Sequence, residues 1–130
     1  MMKQTVTALI AVILFFNVSS VQATDQNRPV RDVIIVDVND DLDGFLDRMK
    51  RVKGVADRLQ LPVTMRVFMG TFAATHNGDI FLYWELPSFI EFAEAETALH
   101  QDAEFLSILA EMDAAGQSFT SEFLTIEITK

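Results

Sequence analysis

The sequence predicts an α+β domain of ferredoxin-like βαββαβ order, an antiparallel sheet with both helices on one face. Three observations carry that expectation. Four short runs rich in β-branched and aromatic residues read as strands: VIIVDV (33–38), VTMRVFMGTFA (63–73), IFLYWEL (80–86) and FTSEFLTIEI (119–128). Apolar residues recur at helical spacing between the first and second runs and again between the third and fourth. Asn77-Gly78, inside HNGD, is the dipeptide that best tolerates the two positive φ angles of a type I′ turn, so the second and third strands pair antiparallel. Strand, helix, strand, strand, helix, strand is the split β-α-β pattern.

Ahead of the domain, residues 1–23 read as a secretory signal. Lys3 supplies the charged start, residues 6–16 the apolar run, and small residues lead to Ala23. The run is shorter than the roughly 20 residues a membrane span needs. Cleavage after Ala23 is expected to leave residues 24–130 as one exported domain, periplasmic in a bacterium and without a stable membrane anchor. The formal net charge is −9, and losing Lys3 makes the body one unit more negative. Such a body is repelled by phosphate, which argues against nucleic-acid and anionic-membrane partners. There is no cysteine, hence no disulfide, no thiolate chemistry and no cysteine lipidation.

Taken in order, residues 24–31 form a polar leader, and the first strand follows. The acidic stretch DVNDDLDGFLD (37–47) invites a calcium-loop reading. Read from Asn39, however, the twelfth position, which needs a bidentate glutamate, is Lys50, and a strand stands where a helix should precede the loop. The stretch reads instead as a helix start. Asn39, Asp40 or Asp41 caps it, carboxylates favour the positive end of its dipole, and Asp47 is spaced to pair with Arg51. That helix carries Leu42, Phe45, Leu46, Met49, Val52, Val55, Ala56 and Leu59 and ends near Gln60, before Pro62. Ser88 and Glu91 have the spacing of a capping box for the second helix. HQDAEF interrupts that helix, Asp102 caps its continuation, and Gly116 ends it.

Alternation along the strands sorts residues onto two sheet faces. One set (Ile34, Val36, Val38; Val63, Met65, Val67, Met69; Ile80, Leu82, Trp84, Leu86; Leu124, Ile126, Ile128) contains no polar residue and is expected under the helices. The other set holds Phe68, Phe72, Phe81, Phe119 and Phe123 with Tyr83, Arg66 and Glu85. A solvent-facing sheet should be mostly polar, so this aromatic face is expected to pack against a second copy.

The stretch YWELPSFIEFAEAE (83–96), a strand ending in Trp-Glu followed by Ser-Phe opening a helix, resembles the antibiotic-biosynthesis-monooxygenase-like and NIPSNAP-like group. DAEFLSILAEM (102–112) resembles that group's second half-helix. The resemblance implies a dimeric α+β barrel. It also implies a choice of activities, since some members are cofactor-independent monooxygenases on polycyclic substrates, some degrade haem and many have no assigned activity. The haem-degrading branch has a tryptophan where this chain has Phe92, a histidine near Leu109, and an asparagine on the first strand where Asp37 stands closest. With no axial ligand at those positions, haem degradation is not carried over.

The candidate site at this point is a ligand pocket inside the barrel, formed by Arg66, Phe68, Phe72, Phe81, Tyr83 and Glu85 and holding a small, largely apolar molecule. The reading favoured over ligand contact for Arg66 and Glu85 themselves is that they neutralise one another across neighbouring strands. No cofactor and no metal is expected, since the chain has no cysteine and only His76 and His100, at no ligand spacing. Both histidines are expected on the surface, with a lone general base as the alternative. Glu91, Glu94, Glu96, Glu104 and Glu111 read as a solvated acidic face. Competing readings are a cofactor-independent monooxygenase using the same cavity and a structural interaction module with a filled interior.

Overall fold

The structure, a computed structural model, describes residues 27–71 and 78–129. Its elements are β1 (Val30–Asp37), α1 (Leu42–Arg58), β2 (Thr64–Met69), β3 (Ile80–Leu86), α2 (Phe89–His100), α3 (Ala103–Ala114) and β4 (Ser118–Ile126). The sheet order is β2-β3-β1-β4 with every pair antiparallel, and the helices cover one face, so the ferredoxin-like α+β expectation holds. The predicted signal (1–23) and the turn residues His76 and Asn77 lie outside the described residues. The pairing predicted from that turn is present, with Gly70 N donating to Asp79 O at 2.8 Å as β2 runs into β3.

The acidic stretch is a helix start, as its spacing indicated. Asp41 caps α1, its Oδ1 accepting from Gly44 N at 2.9 Å. A Cβ on Gly44 would fall 2.1 Å from Asp41 Oδ2, so glycine is what lets the carboxylate close over the first turn. Asn39 and Asp40 take left-handed backbone angles, φ 52° and 59°, and Asn39 Nδ2 reaches across to Ala115 O at the end of α3. Buried Gln117 finishes the latch, its Nε2 donating to Val38 O and Asp41 O while its Oε1 accepts from Arg48. The expected Asp47–Arg51 pair is replaced: Asp47 meets Lys50, and Arg51 reaches Glu111 on α3, where a carboxylate lies on the packed side.

Local capping fixes the second helical layer. Ser88 Oγ accepts from Glu91 N at 3.2 Å and donates to Glu91 Oε2 at 3.0 Å, opening α2. Asp102 Oδ1 accepts from Phe105 N at 3.0 Å and opens α3, while its other oxygen binds Arg58 at 2.7 Å and ties α1 to α3. Gly116, at φ 71°, lets the chain turn out of α3 into β4. Between helices and sheet, Phe45, Ile108, Leu82 and Leu99 are sealed from solvent, with Val30, Val52 and Val55 beside them.

Two assignments made from alternation are corrected. The ladder between β1 and β4 shifts by one residue, from Ile35↔Ser121 to Val36↔Phe119. This bulge leaves Thr120 as the extra residue and turns Phe119 under the helices with Val36. The helix-covered face is also not free of polar residues, since β1 begins earlier than expected and brings Asp32 onto it, 2% exposed. Glu122, paired with Ile34, lies on the same face. At the margins, Met69 and Ile128 are exposed, because one ends the edge strand β2 and the other lies past the end of β4.

Candidate functional site

The open sheet face carries most of the residues singled out in the sequence. Phe68 pairs with Phe81 and Arg66 with Tyr83 across β2 and β3. The Phe68 and Tyr83 rings lie 4.8 Å apart and those of Phe81 and Tyr83 6.4 Å apart. Glu85 does not pair with Arg66 as expected. It takes Arg31 of β1, its direct cross-strand partner, at 2.8 Å, and that guanidinium also lies 5.6 Å from the Tyr83 ring centre. Phe72 lies outside the described residues. Phe68 and Phe123 are nearly half exposed, so in one protomer this face is an aromatic surface.

A different set of residues gathers on the other side of the sheet. Asp32 of β1, Trp84 of β3, Glu122 of β4, and Glu96 and His100 of α2 line one cavity of ≈ 40 Å³. Its remaining walls are apolar: Ile34, Met49, Val52, Leu82, Phe105, Leu109, Met112 and Phe119. Asp32 and Trp84 are cross-strand partners, so carboxyl and indole leave the sheet side by side. Three of the polar atoms are buried without a protein partner, Asp32 Oδ1, Trp84 Nε1 and His100 Nε2. Buried polar groups are ordinarily satisfied, and each orphan costs about 1–3 kcal/mol. A ligand or an ordered water with both donor and acceptor capacity would satisfy this set.

The site is held in a defined electrostatic state. Burial pushes the Asp32 carboxyl up to about 9, and a side-chain hydrogen bond with Glu122, the Glu122 charge and the Glu96 charge push the same way. Asp32 therefore keeps its proton at neutral pH. Burial also raises Glu96, with His100 pulling it back and Glu122 adding to the rise. His100 Nδ1 lies 2.8 Å from the backbone oxygen of Glu96, which can only accept, so Nδ1 carries a hydrogen. In the neutral ring Nε2 is then the unprotonated nitrogen, and it is the buried, unpartnered one. The Phe105 ring holds the imidazole edge-on at 5.4 Å.

Two expectations change accordingly. His100 is not a surface residue at its Nε2, and Glu96 belongs to the pocket rather than to a solvated acidic face. Glu111 and Glu104 also carry partners, Arg51 and Arg58. The pocket left one signal in the sequence: Glu96 and His100 stand four apart on α2 and so share a helix face. Among the described residues, no group of three or more His, Cys, Asp or Glu side chains is placed to hold a metal ion, and no helix is long and apolar enough to cross a membrane.

Fold and site define a ferredoxin-like α+β protein with a polar cluster between its helices and its sheet, buried at Asp32 and Trp84 and partly exposed at Glu96, His100 and Glu122. Its fold is similar to two solved NIPSNAP-family proteins of Agrobacterium tumefaciens. One aligns at a TM-score of 0.58 and 10% identity over 80% of this chain and 88% of its own. The other, described as of unknown function, aligns at a TM-score of 0.55 and 14% identity over 78% and 87%. At such identity the likeness is one of fold, and it agrees with the NIPSNAP-like resemblance of residues 83–96. No protein-family model matches the chain, and no curated protein matches it.

Proposed function

We propose that the protein binds a small, largely apolar molecule by an oxygen-bearing head, in the pocket beneath its helices, as an exported homodimer. The observation that carries the reading is the set of three buried, unpartnered polar atoms, Asp32 Oδ1, Trp84 Nε1 and His100 Nε2, in an otherwise apolar cavity. Trp84 Nε1 donates, His100 Nε2 accepts and the Asp32 acid can do either, a set that suits a hydroxyl group at all three or a carbonyl oxygen at the two donors, and the apolar walls suit a hydrocarbon body. The Glu96 and Glu122 carboxyl groups in its wall disfavour an anionic ligand. Packing of two open sheet faces would cover Phe68, Phe81, Tyr83 and Phe123 and close a barrel, which explains why a sheet surface is aromatic.

A second reading puts the ligand between those two faces, against Arg66, Phe68, Phe72, Phe81, Tyr83 and Glu85. The half-exposed Phe68–Tyr83 pair favours it. The two readings separate on the chain's single tryptophan, Trp84, which lies on the helix side. Native mass spectrometry of mature protein from a periplasmic fraction should show a dimer carrying a reproducible extra mass. Release of that mass should change Trp84 fluorescence if it sat in the pocket, and leave it unchanged if it sat between the sheets. An empty monomer would defeat both readings.

A further inference from the structure

We infer that the pocket is an acid–base site for neutral carbonyl compounds, in which His100 Nε2 removes a proton beside the carbonyl while Asp32 and Trp84 hold its oxygen. The inference rests on the pocket being the ligand site. Three features carry it. First, Asp32 and Trp84 are partners across β1 and β3, so two hydrogen-bonding groups leave the sheet together, where one oxygen can meet both. Second, His100 comes from the opposite wall, at the last turn of α2, with its tautomer set by the Glu96 carbonyl and its Nε2 buried and unpartnered. Third, the inner cavity of ≈ 40 Å³ is about three water-sized probe volumes, room for a carbonyl carbon, its oxygen and one neighbouring carbon.

The chemistry balances within the site. The pair of electrons in the C–H bond moves to form the C=C bond of an enolate as His100 Nε2 takes the proton. The C=O π pair moves onto oxygen. That oxygen accepts from the Trp84 N–H and from the Asp32 acid, whose proton turns from its Glu122 contact to Oδ1 as negative charge develops there. Burial keeps the Asp32 acid form present at neutral pH, and a carboxylic acid held neutral in an apolar site can donate to an oxyanion. The imidazolium then returns its proton to the same carbon or, in an unsaturated ketone, to the far end of the conjugated system. The net reaction is proton exchange or double-bond migration, and nothing is oxidised or reduced. Such positioned general bases contribute roughly 10²–10⁴-fold.

The test follows hydrogen–deuterium exchange beside the carbonyl of acetone and butanone by proton NMR in heavy water, with Trp84 fluorescence reporting binding in the same samples. The full-length mature protein should accelerate exchange above buffer. At saturating ketone, His100→Gln should lower the protein-catalysed rate by roughly 10²-fold, whatever it does to affinity. Asp32→Asn, which keeps a donor, should retain more rate than Asp32→Ala when the two are compared at saturating ketone and equal folded fraction. Binding without exchange, or exchange indifferent to His100→Gln, overturns the inference and leaves the binding reading intact. Failure of both ketones to bind also overturns it. The mass carried by the native protein decides the binding reading separately.

Discussion

Asp32→Asn tests the buried carboxyl pair through folding stability alone, with no ligand involved. In the folded protein Asp32 is raised to about 9 from its ordinary 3.8, so between those values the folded chain holds a proton that the unfolded chain has lost. Stability falls with rising pH wherever the folded state binds more protons, by about 1.4 kcal/mol per pH unit for one group. The stabilisation is therefore full below the unfolded value and is lost progressively as pH climbs towards the folded one. Between about pH 6 and pH 8 the wild type should lose about 2.7 kcal/mol, a large part of the ~5–15 kcal/mol that holds a domain together. In urea titrations this is a fall in midpoint of roughly 1–2 M. Asp32→Asn carries no titrating proton and should flatten the profile, leaving the smaller slope from Glu96, which burial also raises. Parallel profiles for the two proteins would refute the claim that Asp32 is buried in its acid form.

Gln117→Ala removes two donors to Val38 O and Asp41 O and the acceptor of Arg48, and should cost about 2–3 kcal/mol in urea denaturation. Ser88→Ala removes the cap of α2 and should cost about 1 kcal/mol by the same measurement, with little change at α1 in hydrogen exchange. Phe68→Asp places a charge on the open sheet face, and light scattering of the mature protein should show a monomer that keeps its native circular dichroism.

Much of the fold was legible because it rests on local chemistry. Asp41, Ser88, Asp102 and Gly116 all do what their spacing predicts, and helical and strand periodicities name the core. The site was not legible for three physical reasons. Strand alternation assigns a face only if the ladder is regular, and the bulge at Thr120 breaks it. A strand's first residues carry no periodic signal of their own, so Asp32 fell between the leader and the first strand and was assigned to neither. The Glu96–His100 pair shares its helix with Glu91 and Glu94, and which carboxylates face the sheet depends on how α2 packs. Arg31 displaces Arg66 at Glu85 through register, which sets Arg31 directly opposite on β1 while Thr64 stands opposite on β2.

The bulge itself yields the last prediction. Below it, Ser121 to Ile126 pair with β1 in regular register, and above it Phe119 and Ser118 pair one step out. Thr120 is the extra residue, exposed, its hydroxyl on Ile35 O at 3.2 Å. Deleting Thr120 therefore joins two segments that already face the right way: Phe119 stays opposite Val36 and Ser121 opposite Ile35. Deleting Thr125, inside the regular ladder, instead forces Ile126 to the open face or drags the rest of β4 by one residue, sending Glu122 and Leu124 outward. The Thr120 deletion should stay within about 1–2 kcal/mol of wild type and keep Trp84 buried, because it removes one hydroxyl contact and local twist. The Thr125 deletion should cost several-fold more and expose Trp84 to quenching by acrylamide, since a slipped β4 opens the pocket wall. Equal effects of the two deletions would show that Phe119 is held under the helices by its own burial rather than by the ladder.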